Sequence, residues 1–303
     1  MRRAIVLTLV AGCGATTGST IGDPCGPKQP CGKGAVCDMT DPGGPVCIDA
    51  DGDLDGDGIP NGQDFCEHMP GGRYDEDADG IGDECDPCPI APPPATPDPD
   101  GDAVDSPCDP DPDTPGDQIV LFDGFNGDTL DPDWIQTVPA TWTLDGGEVL
   151  VDLSSVANED YLKQTFGGSH TLAVLASYRI DSMTTSTTTH TAAIETNDPS
   201  PAGVAQLECG LVHSDSGTTN VLAVQTDQNN ASSPTASGFD PASLYELAAD
   251  ATGGMAGCTA IGDGQPLGAV TAPISVGTLA EIALGARGVR ARFQWVLVVA
   301  RGQ

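Results

Sequence analysis

A chain of 303 residues carrying 45 acidic against 11 basic side chains, for a net charge of −34, repels nucleic acid, and a nucleic-acid partner is excluded. The length leaves room for one short domain and one full-sized domain with its own core. Eleven cysteines in a Gly-, Pro- and Asp-rich chain, with no Cys-x2-Cys pair meeting a second at zinc-finger spacing, point to disulfides and an oxidising compartment.

The chain opens with Met1-Arg2-Arg3 and an apolar run from Ala4 to Val10 that is too short to span a bilayer. It ends in Val10-Ala11-Gly12-Cys13, small residues before a cysteine, which resemble a bacterial lipobox. The resemblance implies a signal peptide over 1–12, cleavage before Cys13 and acylation of that cysteine; plain signal-peptide cleavage is the alternative. Several acyl chains, at about 0.8 kcal/mol per buried methylene, make a firm anchor. Gly14, where an Asp would mark inner-membrane retention, is similar to lipoproteins passed to the outer membrane of diderm bacteria. The expected location is therefore the outer membrane or cell surface, with the lipid as the only membrane contact. Residues 13–23 read as a flexible tether of small residues.

Residues 24–48 hold Cys25, Cys31, Cys37 and Cys47. Their arrangement resembles the first part of an EGF-like module, without its last cysteine pair. The resemblance implies Cys25 bonded to Cys37 and Cys31 to Cys47. A knot this small has almost no core, so its bridges must hold it.

Residues 49–117 carry 19 Asp and 3 Glu against a single Arg. Asp53, Asp55, Asp57, Asn61 and Asp64 fall at positions 1, 3, 5, 9 and 12 of a loop with Gly58 at 6 and Ile59 at 7. Alternate carboxylates on a tight loop, with glycine at the sharpest bend, are how a chain wraps Ca²⁺. The pattern returns as Asp75, Asp77, Asp79, Asp83 and Asp86, with Gly80 and Ile81 in register. A worn third copy keeps Asp98, Asp100, Asp102 and Asp109, but has Ala103 at position 6 and Ser106 at 9.

An EF-hand or dockerin needs helices beside its loops, and the prolines after Asp64 and Asp86 forbid them. Tandem acidic loops with a cysteine near the end of each unit instead resemble thrombospondin type 3 repeats. That resemblance implies bound calcium, with Cys66 bonded to Cys85 and Cys88 to Cys108. Two like charges about 4 Å apart repel by roughly 4 kcal/mol at an effective dielectric near 20, so the stretch needs a counter-ion to be compact. A disordered acidic linker is the alternative. Proline-rich segments at 91–97 and 107–116 read as a stiff spacer.

From Gln118 onward, residues 118–303 read as short β-branched and apolar runs between turn signals. Strands are expected at 119–122, 142–144, 148–153, 161–166, 171–180, 191–195, 205–212, 221–225, 244–248, 281–284 and 291–299, with 243–249 open to a helical turn instead. The expected fold is all-β: a jelly-roll sandwich, its first and last strands side by side, preceded by a disulfide- and calcium-stabilised irregular stalk. Phe122-Asp123-Gly-Phe125-Asn126-Gly127, Trp142-Thr-Leu-Asp145-Gly146-Gly147 and Phe293-Gln-Trp295 are similar to the start and end of concanavalin-A-like lectin/glucanase sandwiches. The two cysteines left over, Cys209 and Cys258, lie in this domain and complete five bridges.

Glucanases on this fold place Glu-x-Asp-x-x-Glu on one strand, and the chain lacks it. Glu195 and Asp198 are expected as solvent-facing acids near a turn; His170, His190 and His213 as scattered surface or core residues; and Trp134, Trp142 and Trp295 as core. No catalytic residue is named and no enzymatic activity is expected. The sequence reading is a calcium-binding surface lipoprotein that binds or adheres to a glycan or a surface protein. A glycan hydrolase and a ligand-free envelope spacer are its rivals.

Overall fold

A computed structural model describes residues 18–94, 97–153, 159–166, 171–185, 187–199, 205–215, 219–235, 239–241, 243–275 and 277–302. The signal peptide, the lipidation at Cys13, residues 13–17 of the tether and His170 lie outside the described residues. The chain forms two compact units, Met1–Asp86 and Pro87–Gln303.

In the first unit a hairpin of β1 (Ala35–Asp38) and β2 (Val46–Asp49) is pinned by Cys25–Cys37 and Cys31–Cys47, and Cys66–Cys85 closes the acidic loops. These are the pairings implied by the EGF-like and thrombospondin resemblances. Among its described residues the buried apolar side chains are Cys47, Ile59 and Cys66. With so little core, bridges and loop hydrogen bonds must carry the fold.

The second unit is a β-sandwich. Its strands are β3 (Gln118–Asp123), β4 (Ile135–Gln136), β5 (Trp142–Leu144), β6 (Val149–Asp152), β7 (Glu159–Thr165), β8 (Thr171–Met183), β9 (Thr189–Asn197), β10 (Gln206–Ser214), β11 (Thr219–Thr226), β12 (Asn230–Thr235), β13 (Tyr245–Thr252), β14 (Met255–Gly262), β15 (Gln265–Pro273), β16 (Glu281–Arg287) and β17 (Val289–Arg301). One sheet runs β12-β11-β10-β9-β16-β7-β4 and the other β15-β14-β13-β8-β17-β6-β5, with β3 also on β17. The expected meeting of first and last strands is the β3–β17 pair. The segment open to a helical turn is β13. The Cys209–Cys258 bridge joins β10 of one sheet to β14 of the other.

Alternate residues of the strands fill the space between the sheets. From β8 come Leu172, Val174, Ala176, Tyr178 and Ile180, and from β9 and β10 come Ala192, Ile194, Leu207 and Leu211. Trp142 packs on Phe293 at 5.8 Å and Phe125 on Trp134 at 6.0 Å between ring centroids, so both tryptophans are core.

A register shift between Phe293 and Trp295 changes the parity of β17. Val289, Ala291 and Phe293 face the core before it, and Val296, Val298 and Ala300 face the core after it. The bulge turns Trp295, Leu297 and Val299 to the outer face, where they pack with Cys88, Val104 and Cys108. The third acidic loop is thus part of the sandwich unit. The boundary expected between residues 117 and 118 gives way to one after Asp86, because Val104 and the Cys88–Cys108 bridge bury apolar surface against β8 and β17.

Candidate functional site

The three acidic loops share one hydrogen-bond scheme. The carboxylate at position 1 accepts from the N–H at position 6: Asp53 from Gly58 at 3.1 Å, Asp75 from Gly80 at 3.0 Å and Asp98 from Ala103 at 3.0 Å. The carboxylate at position 5 accepts from the N–H at position 7: Asp57 from Ile59 at 2.6 Å, Asp79 from Ile81 at 2.8 Å and Asp102 from Val104 at 3.0 Å. Position 6 takes a left-handed backbone in all three, with φ of 93° at Gly58, 98° at Gly80 and 74° at Ala103. The worn copy therefore keeps the loop geometry despite its alanine, a conformation that costs an L-residue about 1–2 kcal/mol.

The result is a gathering of like charges. Asp53, Asp55 and Asp57, then Asp75, Asp77 and Asp79, then Asp98, Asp100 and Asp102 each bring carboxylate oxygens within 4.8 Å of one another. Asp64 and Asp109, at position 12, are buried, and each spends one oxygen on the N–H two residues on. The second oxygen of Asp55, Asp64, Asp77 and Asp109, and both oxygens of Asp100, are buried without a hydrogen-bond donor. Burial, with neighbouring carboxylates, pushes Asp83 up to about 7 and Asp109 up to about 6. Such groups fit a divalent cation, which supplies the missing partner and favours the ionised form. Asn61 has a further task, since its Oδ1 accepts from Leu54 N–H and its Nδ2 donates to the Asp49 carbonyl, closing the base of the loop. Asp83 accepts from Glu76 N–H at 2.8 Å, and Asp86 ends the second loop.

A second constellation lies on the outer face of the seven-stranded sheet. The register puts Gly210, Ala193 and Gly285 in one row across β10, β9 and β16, and a side chain at Gly285 would meet the Tyr161 ring at 2.9 Å. On the same sheet lies a cleft of about 810 Å³ lined by Glu159, Tyr161, Lys163, Glu195, Glu208 and Glu281, among others. In the next row Glu208 stands directly opposite Glu195. Such partners have Cβ atoms about 4.5–5.5 Å apart, and like charges so placed are destabilising.

The surroundings hold both carboxyls. Burial, with Glu195 and Glu159 beside it, pushes Glu208 up to about 7. Burial raises Glu195 too, opposed by the hydrogen bond from Asn197 and by the charge of Lys163. Lys163 donates to Glu281 at 3.2 Å, and Tyr161 donates to Glu159 at 3.1 Å.

Two expectations about single residues change. Glu195 is a buried strand residue rather than a solvent-facing acid near a turn, because β9 continues to Asn197. His190 and His213 are not scattered, since they lie opposite each other on β9 and β10 and share the Asp215 carboxylate at 3.4 and 3.2 Å. Glu208 was not singled out by the sequence; its one signal is the outward place in the alternating Leu207-Glu208-Cys209.

No protein-family model matches the chain, and no curated protein matches it. Among solved structures, it is similar to a β-glucanase of Bacillus licheniformis, at 15% identity and a TM-score of 0.45 over 60% of this chain and 98% of that one. It is similar to a prokaryotic β-1,3-1,4-glucanase from a mouse hindgut metagenome, at 13% and 0.41 over 59% and 97%. It is also similar to an endo-1,3-β-glucanase of Streptomyces sioyaensis, at 12% and 0.42 over 62% and 98%. The two-sheet, all-β architecture agrees with these sandwiches. The expectation that the chain is not an enzyme runs against these neighbours, whose names are those of β-glucanases.

Proposed function

We propose that this chain is an exported calcium-binding protein whose sandwich acts on a glycan. The calcium reading is carried by the common cage of the three loops, in which buried carboxylate oxygens converge without donors. Ca²⁺ takes six to eight oxygens at roughly 2.3–2.6 Å, and carboxylates, backbone carbonyls and water at these loops supply that chemistry. The loops form the thrombospondin-like part, and the acylated Cys13 with its tether holds the protein at the outer membrane or cell surface. Loss of calcium uptake when the loop carboxylates become amides tests this part.

The glycan reading is carried by the pair of Glu195 and Glu208 in the cleft. Glycoside hydrolysis uses one carboxyl held protonated to donate to the leaving oxygen and a second, ionised carboxylate on the other side of the bond; a spacing of about 5–5.5 Å suits retention. Glu208, held up to about 7, is the acid. Glu195, raised by burial but with the hydrogen bond from Asn197 and the charge of Lys163 favouring its ionised form, is the carboxylate partner. The test is release of reducing ends from soluble β-1,3- and β-1,3-1,4-glucans by the full chain in calcium. Release is expected from the wild type, with a fall of about 100-fold or more in Glu208→Gln and in Glu195→Gln. Binding on a glycan array without release leaves surface recognition as the sandwich's role, and silence in both assays removes the glycan reading.

A further inference from the structure

Asp117 lies where the Pro-rich spacer meets β3, outside every loop position that the acidic spacing defines. Its side chain is 2% exposed, less than that of any loop aspartate. Its Oδ1 accepts from Gly302 N–H at 2.7 Å, just past the end of β17. Its backbone N–H donates to Asp102 Oδ2 at 2.7 Å, alongside that of Gly116 at 3.0 Å. The remaining oxygen, Oδ2, is buried without a donor, as are Oδ2 of Asp109 and both oxygens of Asp100. Asp100, Asp102 and Asp117 are the carboxylates whose charges bear on Asp109. An oxygen buried this deeply and left unpaired among carboxylates is costly unless a cation meets it.

The first loop has a parallel arrangement at this position. There the fifth-position Asp57 accepts from Gly71 N–H at 2.9 Å, as Asp102 does from Gly116. The next residue, Gly72, has no side chain, and its N–H donates at 2.9 Å to Glu84, a carboxylate close enough to bear on Asp64. In both loops a carboxylate from beyond the twelve-residue pattern approaches the position-12 aspartate. In the first it is Glu84. In the third it is Asp117.

We infer that Asp117 is a calcium ligand of the third loop, so that the ion closing this loop also fastens the start of β3 and the end of β17. The arrangement supplies Asp98, Asp100, Asp102, Asp109 and Asp117 to one divalent cation, which offsets the losses at position 6, where Ala103 is strained, and at position 9, where Ser106 Oγ donates to the Pro97 carbonyl. Arg301 adds an ion pair to Asp111 at 3.7 Å. Calcium then stabilises the sandwich through its last strand, in addition to stiffening the repeats.

This role for Asp117 rests on the calcium reading of the loops. The test is calorimetric titration of the full oxidised chain with calcium alone, paired with amide hydrogen exchange at Arg301 and Gly302 with calcium or chelator. The variants are Asp117→Asn, which keeps an acceptor for Gly302, and Asp75→Asn as a control in another loop. The wild type is expected to protect both amides in calcium. Asp117→Asn is expected to lose one ion, or to bind it about tenfold or more weakly, and to lose the calcium-dependent protection, whereas Asp75→Asn keeps it. Unchanged stoichiometry, affinity and protection in Asp117→Asn, with the wild type binding calcium, overturns this role and leaves the calcium reading intact. Absence of saturable uptake by the wild type overturns both.

Discussion

Glu195 and Glu208 face each other across the β9–β10 register, two carboxyls on neighbouring strands in one cleft. Lys163, which lines the same cleft, is bonded to Glu281. A sheet selected for stability alone would not oppose like charges there. The pair carries the glycan reading, and its first consequence is a pH dependence. With Glu208 at about 7, an acid that must be protonated fails as pH rises, so kcat/KM is expected to fall above about pH 7. Stability follows the same sign. A folded value above the unfolded one near 4.3 means that the native state binds the proton more tightly, so stability declines from about pH 4.5 to 7 and is flat beyond. Denaturant melts of Glu208→Gln across that range should show a shallower decline than the wild type.

Gly285 packs under the Tyr161 ring, and Tyr161 lines the cleft. A Cβ at Gly285 would lie 2.9 Å from the Tyr161 ring. Gly285→Ala is expected to displace Tyr161 from its place beside Glu159 and Glu195 and to cost about 1–3 kcal/mol. Loss of glycan turnover exceeding the loss of thermal stability would show that the place of Tyr161 shapes the site.

The Cys209–Cys258 bridge closes a separation of 49 residues between the two sheets, and both sulfurs are fully buried. The double replacement by alanine is expected to lower stability by about 2–5 kcal/mol. Urea denaturation measures this, with an unchanged calcium stoichiometry serving as the check that the loops are intact.

Ala103 takes a φ of 74° where the first two loops have glycine. Ala103→Gly relieves a left-handed alanine, and a gain of up to about 1 kcal/mol in the calcium-loaded state is expected. Gly58→Val, at φ 93°, should act in the opposite direction and weaken calcium binding at the first loop.

The sequence shows these features unevenly. The acidic loops were legible because their pattern is local, with each aspartate of the repeat placed by position within a dozen residues. Four of the bridges followed from the EGF-like and thrombospondin resemblances, and Cys209–Cys258 from being the two cysteines left over. Strands rich in Val, Ile and Leu, such as β8 and β17, were also legible. Strands β14 and β15 were not, because Met255-Ala-Gly-Cys-Thr-Ala and Gln265-Pro-Leu-Gly-Ala lack β-branched density. Their signal sat in the turns: Gly253-Gly254 and Asp263-Gly264, all at positive φ, make the two-residue links of consecutive hairpins. Polar β12, with Pro234, reads as loop from composition and survives as an edge strand. Glu208 and Asp117 were beyond reach, because their partners, Glu195 and the third loop with Gly302, are set by strand register and by the docking of Val104 on β17. No local spacing encodes either.

The calcium reading is tested most directly by calorimetric titration of the full oxidised chain beside a variant with Asp53, Asp57, Asp75 and Asp79 changed to Asn. Saturable binding of two or more ions with Kd of roughly 10⁻⁴ to 10⁻³ M or tighter, lost at the first two loops in the variant, is the expected result. Weak uptake of equal size in both proteins, abolished by about 0.15 M salt, would contradict it and leave the repeats as an acidic linker.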